Sequence, residues 1–93
     1  MHATIRLYRG NAKLADALSA HESEVRDVIG GIEGFRAYYL LKTGDGAASV
    51  SVFDSQSAAD ESSRVAAAWL ADNLPDLHVG TPDIVHGTVV IAG

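Results

Sequence analysis

An α+β fold of the ferredoxin-like kind, β-α-β-β-α-β, with a four-stranded antiparallel sheet and two helices on one of its faces, is predicted by three features of the chain. Stretches with the two-residue period of a strand flank stretches with the spacing of an amphipathic helix. Glycine and proline fall at the joins between them. An Asp-Gly step sits midway between two adjacent strand-like stretches, where a hairpin turn is needed. No linker, repeat or low-complexity segment divides the 93 residues, so one domain spans the chain.

Each element follows in order. Thr4-Ile5-Arg6-Leu7-Tyr8 alternates polar and apolar and reads as the first strand, ended by Gly10. Asn11 is placed to cap a helix, its side chain accepting from an unpaired amide of the first turn. Leu14, Leu18, Val25, Val28 and Ile29 fall on one face of that helix, with His21 between Leu18 and Val25, and Gly30-Gly31 stops it. Phe35 to Thr43 is the second strand. With Asp45-Gly46 as a two-residue turn, Gly44 pairs with Ala47, and Ala48 to Phe53 forms the third strand. Asp54, Ser55 or Ser57 caps a second helix running to about Asn73, whose inner face offers Ala59, Ala66, Trp69 and Leu70. Pro75 ends it, and Ile84 to Ile91 is the last strand.

Alternation sorts the strand residues into two sets. One holds Ile5, Leu7, Phe35, Ala37, Tyr39, Leu41, Val50 and Val52, with Val85, Val89 and Ile91. The other holds Arg6, Tyr8, Arg36, Tyr38, Leu40, Ser49, Ser51 and Phe53, with His86, Thr88 and Val90. The first is richer in aliphatic and β-branched residues and is expected under the helices. The second then forms the open face. Its large side chains would leave an unusually large apolar patch on a monomer, so a homodimer through the open sheet face is expected. The polar groups between them would line a partly hydrated cavity suited to a small apolar or aromatic ligand.

Composition excludes several classes. A chain this short buries roughly 60–65% of the surface it exposes when unfolded, so self-association would help it. Apolar residues make up 47% of it, which rules out global disorder. The formal charge is −5 and the seven Lys and Arg are scattered, so no nucleic acid partner is expected. No apolar run approaches the ~18 residues of a membrane span, and no apolar signal core follows Met1; a cytoplasmic protein with no membrane partner is expected. There is no cysteine. His2, His21, His78 and His86 show no metal-ligand spacing, GxSxG is absent, and the glycine pairs are a helix stop and a turn rather than phosphate loops.

Gly34-Phe35-Arg36-Ala37-Tyr38-Tyr39, Thr43-Gly44-Asp45-Gly46, Ser51-Val52-Phe53-Asp54 and Gly87-Thr88-Val89-Val90, taken with the element order, resemble the antibiotic-biosynthesis-monooxygenase-like (ABM-like) group of the dimeric α/β-barrel superfamily, among its short bacterial members. The likeness spans nearly the whole chain. It implies a homodimer with a cavity between sheet and helices or inside the barrel. That superfamily includes oxygenases that oxidise polycyclic phenols without metal or flavin, haem-degrading enzymes, isomerases and members with no known reaction.

Two functions compete. The first is a cofactor-independent monooxygenase or isomerase acting on an aromatic or polyketide-like compound. Its candidate catalytic residues are His86 as acid and base, Arg6 as anion holder, and Tyr8 and Tyr38 as positioning groups; Trp69, Phe53, Leu40, His21 and Arg36 are candidate ligand contacts. The second is a non-catalytic homodimer that binds a small ligand or serves a stress role. In plainer readings Arg6 and Arg36 make interface pairs, His86 is a solvated strand residue, Trp69 seals the core and His21 is a satisfied buried histidine. No cofactor and no metal are expected. In haem-degrading members an Asn on the first strand, a Trp and a His form the site. Trp69 and His78 invite that comparison, but the first strand offers only Thr4, Arg6 and Tyr8, and Pro75 ends the helix before His78.

Overall fold

The computed structural model describes residues 1–93. Strands β1 (His2–Tyr8), β2 (Phe35–Lys42), β3 (Ala47–Phe53) and β4 (Asp83–Thr88) form one antiparallel sheet in the order β2-β3-β1-β4. Helices α1 (Leu14–Ala20), α2 (Glu22–Gly30) and α3 (Gln56–Asn73) cover one face. The predicted α+β, ferredoxin-like architecture is the one observed, with its first helix divided in two.

That division falls at His21, whose backbone (φ −108°, ψ 29°) leaves the helix while its carbonyl already accepts from Val25. Polar Ser19, His21 and Ser23 hold the helix weakly here. Asn11 is not the cap: its amide nitrogen donates to the Leu77 carbonyl at 2.9 Å and pins the loop after α3. Ser55 does cap α3, accepting from the Ala58 amide at 3.2 Å. A 3-10 turn, Pro75–Leu77, follows α3, and β4 stops at Thr88 rather than Ile91.

The β2–β3 connection is longer than the two-residue turn expected of Asp45-Gly46. Lys42 pairs with Ala47, Thr43 donates to the Gly46 carbonyl at 3.1 Å, and neither Gly44, Asp45 nor Gly46 takes a positive φ. The register therefore slips by two residues, Tyr39 facing Val50 and Tyr38 facing Ser51. A slip of two leaves every side chain on its face, and apart from the bulge at Phe35–Ala37 the two sets of strand residues are those expected.

The faces are nevertheless inverted. Under the helices lie His2, Thr4, Arg6 and Tyr8 of β1 and Ala47, Ser49, Ser51 and Phe53 of β3, all buried, with Tyr38 and Leu40 of β2 beside them. On the open face a row Val85–Ile5–Val50–Tyr39 runs across all four strands. Its Val85 is 66% exposed, Ile5 43% and Tyr39 63%. Arg6, Tyr8, Tyr38, Leu40 and Phe53 were expected on the open face and Ile5, Leu7, Tyr39 and Leu41 beneath the helices; each is on the other side. On β4, His86 and Thr88 lie on the helix side with Ile84, and Val85 on the open side; for His86, Thr88 and Val85 this is also the reverse of expectation. The cause is on α3, where Ser62 and Ser63 face the sheet and supply hydrogen-bonding partners that an aliphatic sheet face could not use.

Two apolar clusters complete the interior. Tyr8, Leu14, Ala15, Leu18, Val25, Ala47 and Leu70 make the larger, and Ile29, Phe53 and Ala59 the smaller.

Candidate functional site

Arg6 occupies the centre of the helix-covered face. It lies mid-strand on β1, flanked by Ser49 on β3 and Ile84 on β4, and is 2% exposed. Its Nε donates to Ser63 Oγ at 3.3 Å, Nη1 to Ser49 Oγ at 3.4 Å and Ser51 Oγ at 3.0 Å, and Nη2 to Ser62 Oγ at 2.5 Å and Ser63 Oγ at 3.2 Å. A guanidinium has five N–H donors, so four serine hydroxyls occupy all of them. Arg6 takes part in none of the molecule's ion pairs.

Burial sets the electrostatics. Desolvation holds the Arg6 pKa below its usual value, and the neighbouring Tyr8 and Tyr38 work in the opposite direction. Burial pushes the Tyr8 hydroxyl above the usual phenol value, with Arg6 partly offsetting it. Tyr38 is pushed up by burial first and by Tyr8 second, again against Arg6. The two phenols are therefore neutral at neutral pH, and neither hydroxyl has a protein hydrogen-bond partner.

Three spaces meet at this cluster. A central cavity of about 30 Å³ lies between sheet and helices, walled by Arg6, Tyr8, Tyr38, Leu40, Ser49 and Trp69 together with aliphatic residues of the helices. It is large enough for a water or two and too small for an aromatic ring. On the β4 side a groove of about 480 Å³ runs between α3, β1 and the loop after α3. Arg6, Tyr8, Ser63, His78 and Thr81 are its polar residues, and Ala67, Leu70, Leu74 and Ile84 are among its apolar ones. That volume lies in the ~300–1,000 Å³ range of small-molecule sites. On the β2 side an open groove of about 1,040 Å³ separates α1 and α2 from the edge strand, and the Lys42–Asp16 ion pair bridges it at 3.1 Å. Arg6, Tyr8 and Leu70 wall both the cavity and the β4-side groove; Tyr38, Leu40, Leu18 and Val25 wall both the cavity and the β2-side groove.

Of the nine residues singled out in the sequence, five meet at the central cavity: Arg6, Tyr8, Tyr38, Leu40 and Trp69. Four do not. His86 sits on the outer edge of β4, exposed, with its Nδ1 2.9 Å from Nε2 of the buried His2; it lines none of the three spaces. Phe53 is fully buried against Ile29 and Ala59. Arg36 is exposed and paired with Asp54 at the start of the second strand pair. His21, expected within the buried helix face, is partly exposed at the α1–α2 break, 3.3 Å from Glu24 and edge-on to Trp69 at 5.5 Å. Ser62 and Ser63 carry no signal in the sequence; Ser49 and Ser51 were expected only as polar groups of one sheet face, and His78 only in the comparison with haem-degrading members. The i, i+2 spacing of Ser49 and Ser51 opposite Arg6 was the available signal for their role.

His78 holds a left-handed backbone (φ 49°, ψ 49°) at the end of the 3-10 turn, with its amide bonded to the Pro75 carbonyl at 3.2 Å. Histidine tolerates that region better than most residues. The turn carries the imidazole to the groove that Arg6 and Tyr8 also line.

No family model matches the chain, and no curated protein matches it by sequence. Solved structures do. The heme-degrader MhuD from Mycobacterium tuberculosis, with two hemes bound in its active site, superposes with a TM-score of 0.71 at 16% identity, over 100% of this chain and 99% of that one. A monooxygenase from ActVA-Orf6 of Streptomyces coelicolor, in complex with nanaomycin D, gives 0.66 at 19% identity over 98% and 88%. SnoaB, a cofactor-independent oxygenase from Streptomyces nogalater, gives 0.62 at 14% identity over 98% and 93%. At these identities the likeness is one of fold.

The residues present do not fit haem. Trp69 walls the central cavity and His78 the β4-side groove, with Arg6, Tyr8 and Leu70 standing between the two spaces. A buried cation, rather than an amide, occupies the middle of the first strand.

Proposed function

We propose, on the premise that the chain carries the fold of the ABM-like dimeric α/β-barrel superfamily, that it handles a small phenolic aromatic compound as a homodimer and oxidises it with dioxygen without a cofactor. The observation that carries this reading is the β4-side groove: it is of ligand size, apolar along α3, and bounded by one cation, one phenol and one imidazole. In the balanced reaction a phenol and O₂ give a quinone and water. One oxygen atom enters the ring carbon as a carbonyl, the other leaves as water, and the substrate supplies the electrons. His78, rather than the remote His86, takes the phenolic proton. Arg6 favours the phenolate by its charge, and Tyr8 orients the ring.

Oxygen uptake with dithranol, a small hydroxyanthrone, tests the proposal. Uptake of one O₂ per substrate is expected, unchanged by EDTA. His78→Ala should slow it about 10²-fold or more, and His86→Ala should leave it within about two-fold, in line with a surface site. Equal loss in the two variants would sink the assignment.

A second reading, a binding protein without turnover, is favoured by one observation: no carboxylate lines the β4-side groove, which leaves the exposed His78 as its single candidate base. Saturable binding that raises the melting temperature, with no oxygen consumed, selects it. The expected homodimer forms in either case through the open face of the sheet.

A further inference from the structure

Arg6 is surrounded by hydrogen-bond acceptors that are themselves donors. A serine oxygen that accepts from the guanidinium keeps its own proton to give. Ser62 gives its proton to the Ala59 carbonyl at 2.6 Å. The hydroxyl protons of Ser49, Ser51 and Ser63 have no such acceptor among the side-chain hydrogen bonds of the molecule, although Ser49 and Ser51 are buried. The cluster thus holds a full positive charge and three spare O–H donors, and it contains no carboxylate. Two of those hydroxyls reach the open spaces on either side of the arginine: Ser49 lines the central cavity and Ser63 the β4-side groove. Of these two, the groove alone is large enough for an organic ligand.

We infer that the β4-side groove is a site for organic anions, which takes its ligand as the conjugate base, an oxyanion on an apolar frame, and that Ser63 rather than Arg6 makes the direct hydrogen bond. The guanidinium has no free N–H with which to touch a ligand. It acts through space, and through the serine it polarises. An isolated buried cation is costly, and an anion brought close to it in a poorly solvated site recovers part of that cost. The apolar residues along α3 and Ile84 on β4 receive the rest of the ligand. The inference rests on the proposal that the groove is the ligand site, and it adds the ligand's charge state and the atom that receives it. A phenolate and a carboxylate satisfy the same donors; the test includes both.

The probe is 4-nitrophenol, whose phenolate is coloured and whose phenol is not, titrated with the full-length protein under nitrogen so that no turnover intervenes. Binding is expected to draw the probe into its phenolate form, lowering its apparent pKa by about one unit, a ten-fold preference for the anion. 4-Nitrobenzoate should compete for the site, and 4-nitroanisole, which cannot ionise, should bind at least ten-fold more weakly. Ser63→Ala should weaken the phenolate by about ten-fold, as expected for a lost hydrogen bond to a charged group, and leave 4-nitroanisole unchanged. Arg6→Met should abolish the preference, with circular dichroism confirming its fold. If 4-nitroanisole binds as well as 4-nitrophenol, if the bound probe stays in its phenol form, if Ser63→Ala changes nothing, or if no probe binds at millimolar concentration, the inference is wrong. Oxygen uptake without phenolate preference would remove this inference and keep the oxygenation reading; phenolate preference without oxygen uptake would do the reverse.

Discussion

Arg6 has its hydrogen bonds satisfied and its charge unneutralised. Four hydroxyls fill its donors, yet a cation with 2% of its surface exposed and no acid beside it is expensive to bury. Replacing a whole buried charged network by apolar side chains of similar volume is often neutral or stabilising, by about 1–4 kcal/mol in favourable cases, whereas removing the arginine alone would strand the buried hydroxyls of Ser49, Ser51 and Ser62 at about 1–3 kcal/mol each. Arg6→Met combined with Ser49→Ala, Ser51→Ala and Ser62→Ala is accordingly expected to match or exceed the parent's melting temperature without ligand while losing anion binding. A fall of several degrees would make Arg6 a structural hub and leave no stability–function trade-off to explain. Tyr8 and Tyr38 carry the corresponding pH dependence. Their folded pKa values are raised above the 10.0 of a free phenol. The stability contributed by their neutral hydroxyls is therefore complete below about pH 10 and is lost as pH rises through the folded values. Denaturant unfolding at stepped alkaline pH should show that loss, and Tyr8→Phe with Tyr38→Phe should flatten it. An unchanged slope in the double variant would assign the loss to other groups.

Element order apart from the break at His21, a cap for α3 among Asp54, Ser55 and Ser57, the end of α3 near Asn73 and the sorting of strand residues into two faces were legible in the sequence, because each depends on local periodicity or a single punctuating residue. Which face turns toward the helices was not. That choice is made between elements: Ser62 and Ser63 matter only once α3 lies across β1 and brings them to Arg6, and no pattern within β1 reports it. For the same reason the five residues that meet at the cavity were identifiable by type, while His86 was misplaced with the strand face and His78 lay beyond a helix end whose turn geometry brings it back. The β2–β3 loop shows another limit of local reading. The sequence predicts Gly46 as half of a two-residue turn, but its role is close approach: a Cβ there would stand 2.0 Å from the Tyr8 carbonyl oxygen. Gly46→Ala is expected to destabilise the protein by about 2–3 kcal/mol, at the upper end for overpacking against backbone. Gly44→Ala, with open space around its Cβ, should change stability by less than about 0.5 kcal/mol. Urea unfolding of the two variants separates the explanations, since a turn-propensity role would penalise both.

Inverting the sheet strengthens the case for a partner at the scale of the whole molecule. The open face now carries the aliphatic set: the row Val85–Ile5–Val50–Tyr39 is flanked by Leu7, Ala48 and Leu41 on one side and Ala3, Val52 and Ala37 on the other. Apolar surface covered by a second copy contributes about 25 cal/mol per Å² before the costs of association, and this face holds few polar groups whose desolvation would offset the gain. Twice the 9.7 kDa chain mass is expected in sedimentation at micromolar concentration. Ile5→Lys places a charge in the middle of the row, where pairing two copies would bury it beside its own image. It should yield a folded monomer of lower thermal stability. The ligand groove lies on the opposite side of the sheet from this face, so the assembly and the site are separable. The monomeric variant should retain 4-nitrophenolate affinity within about three-fold, the residual coming from a less rigid sheet. A monomer that binds no anion would mean that the partner completes the groove, and a wild-type chain that sediments alone would leave the apolar row without its proposed occupant.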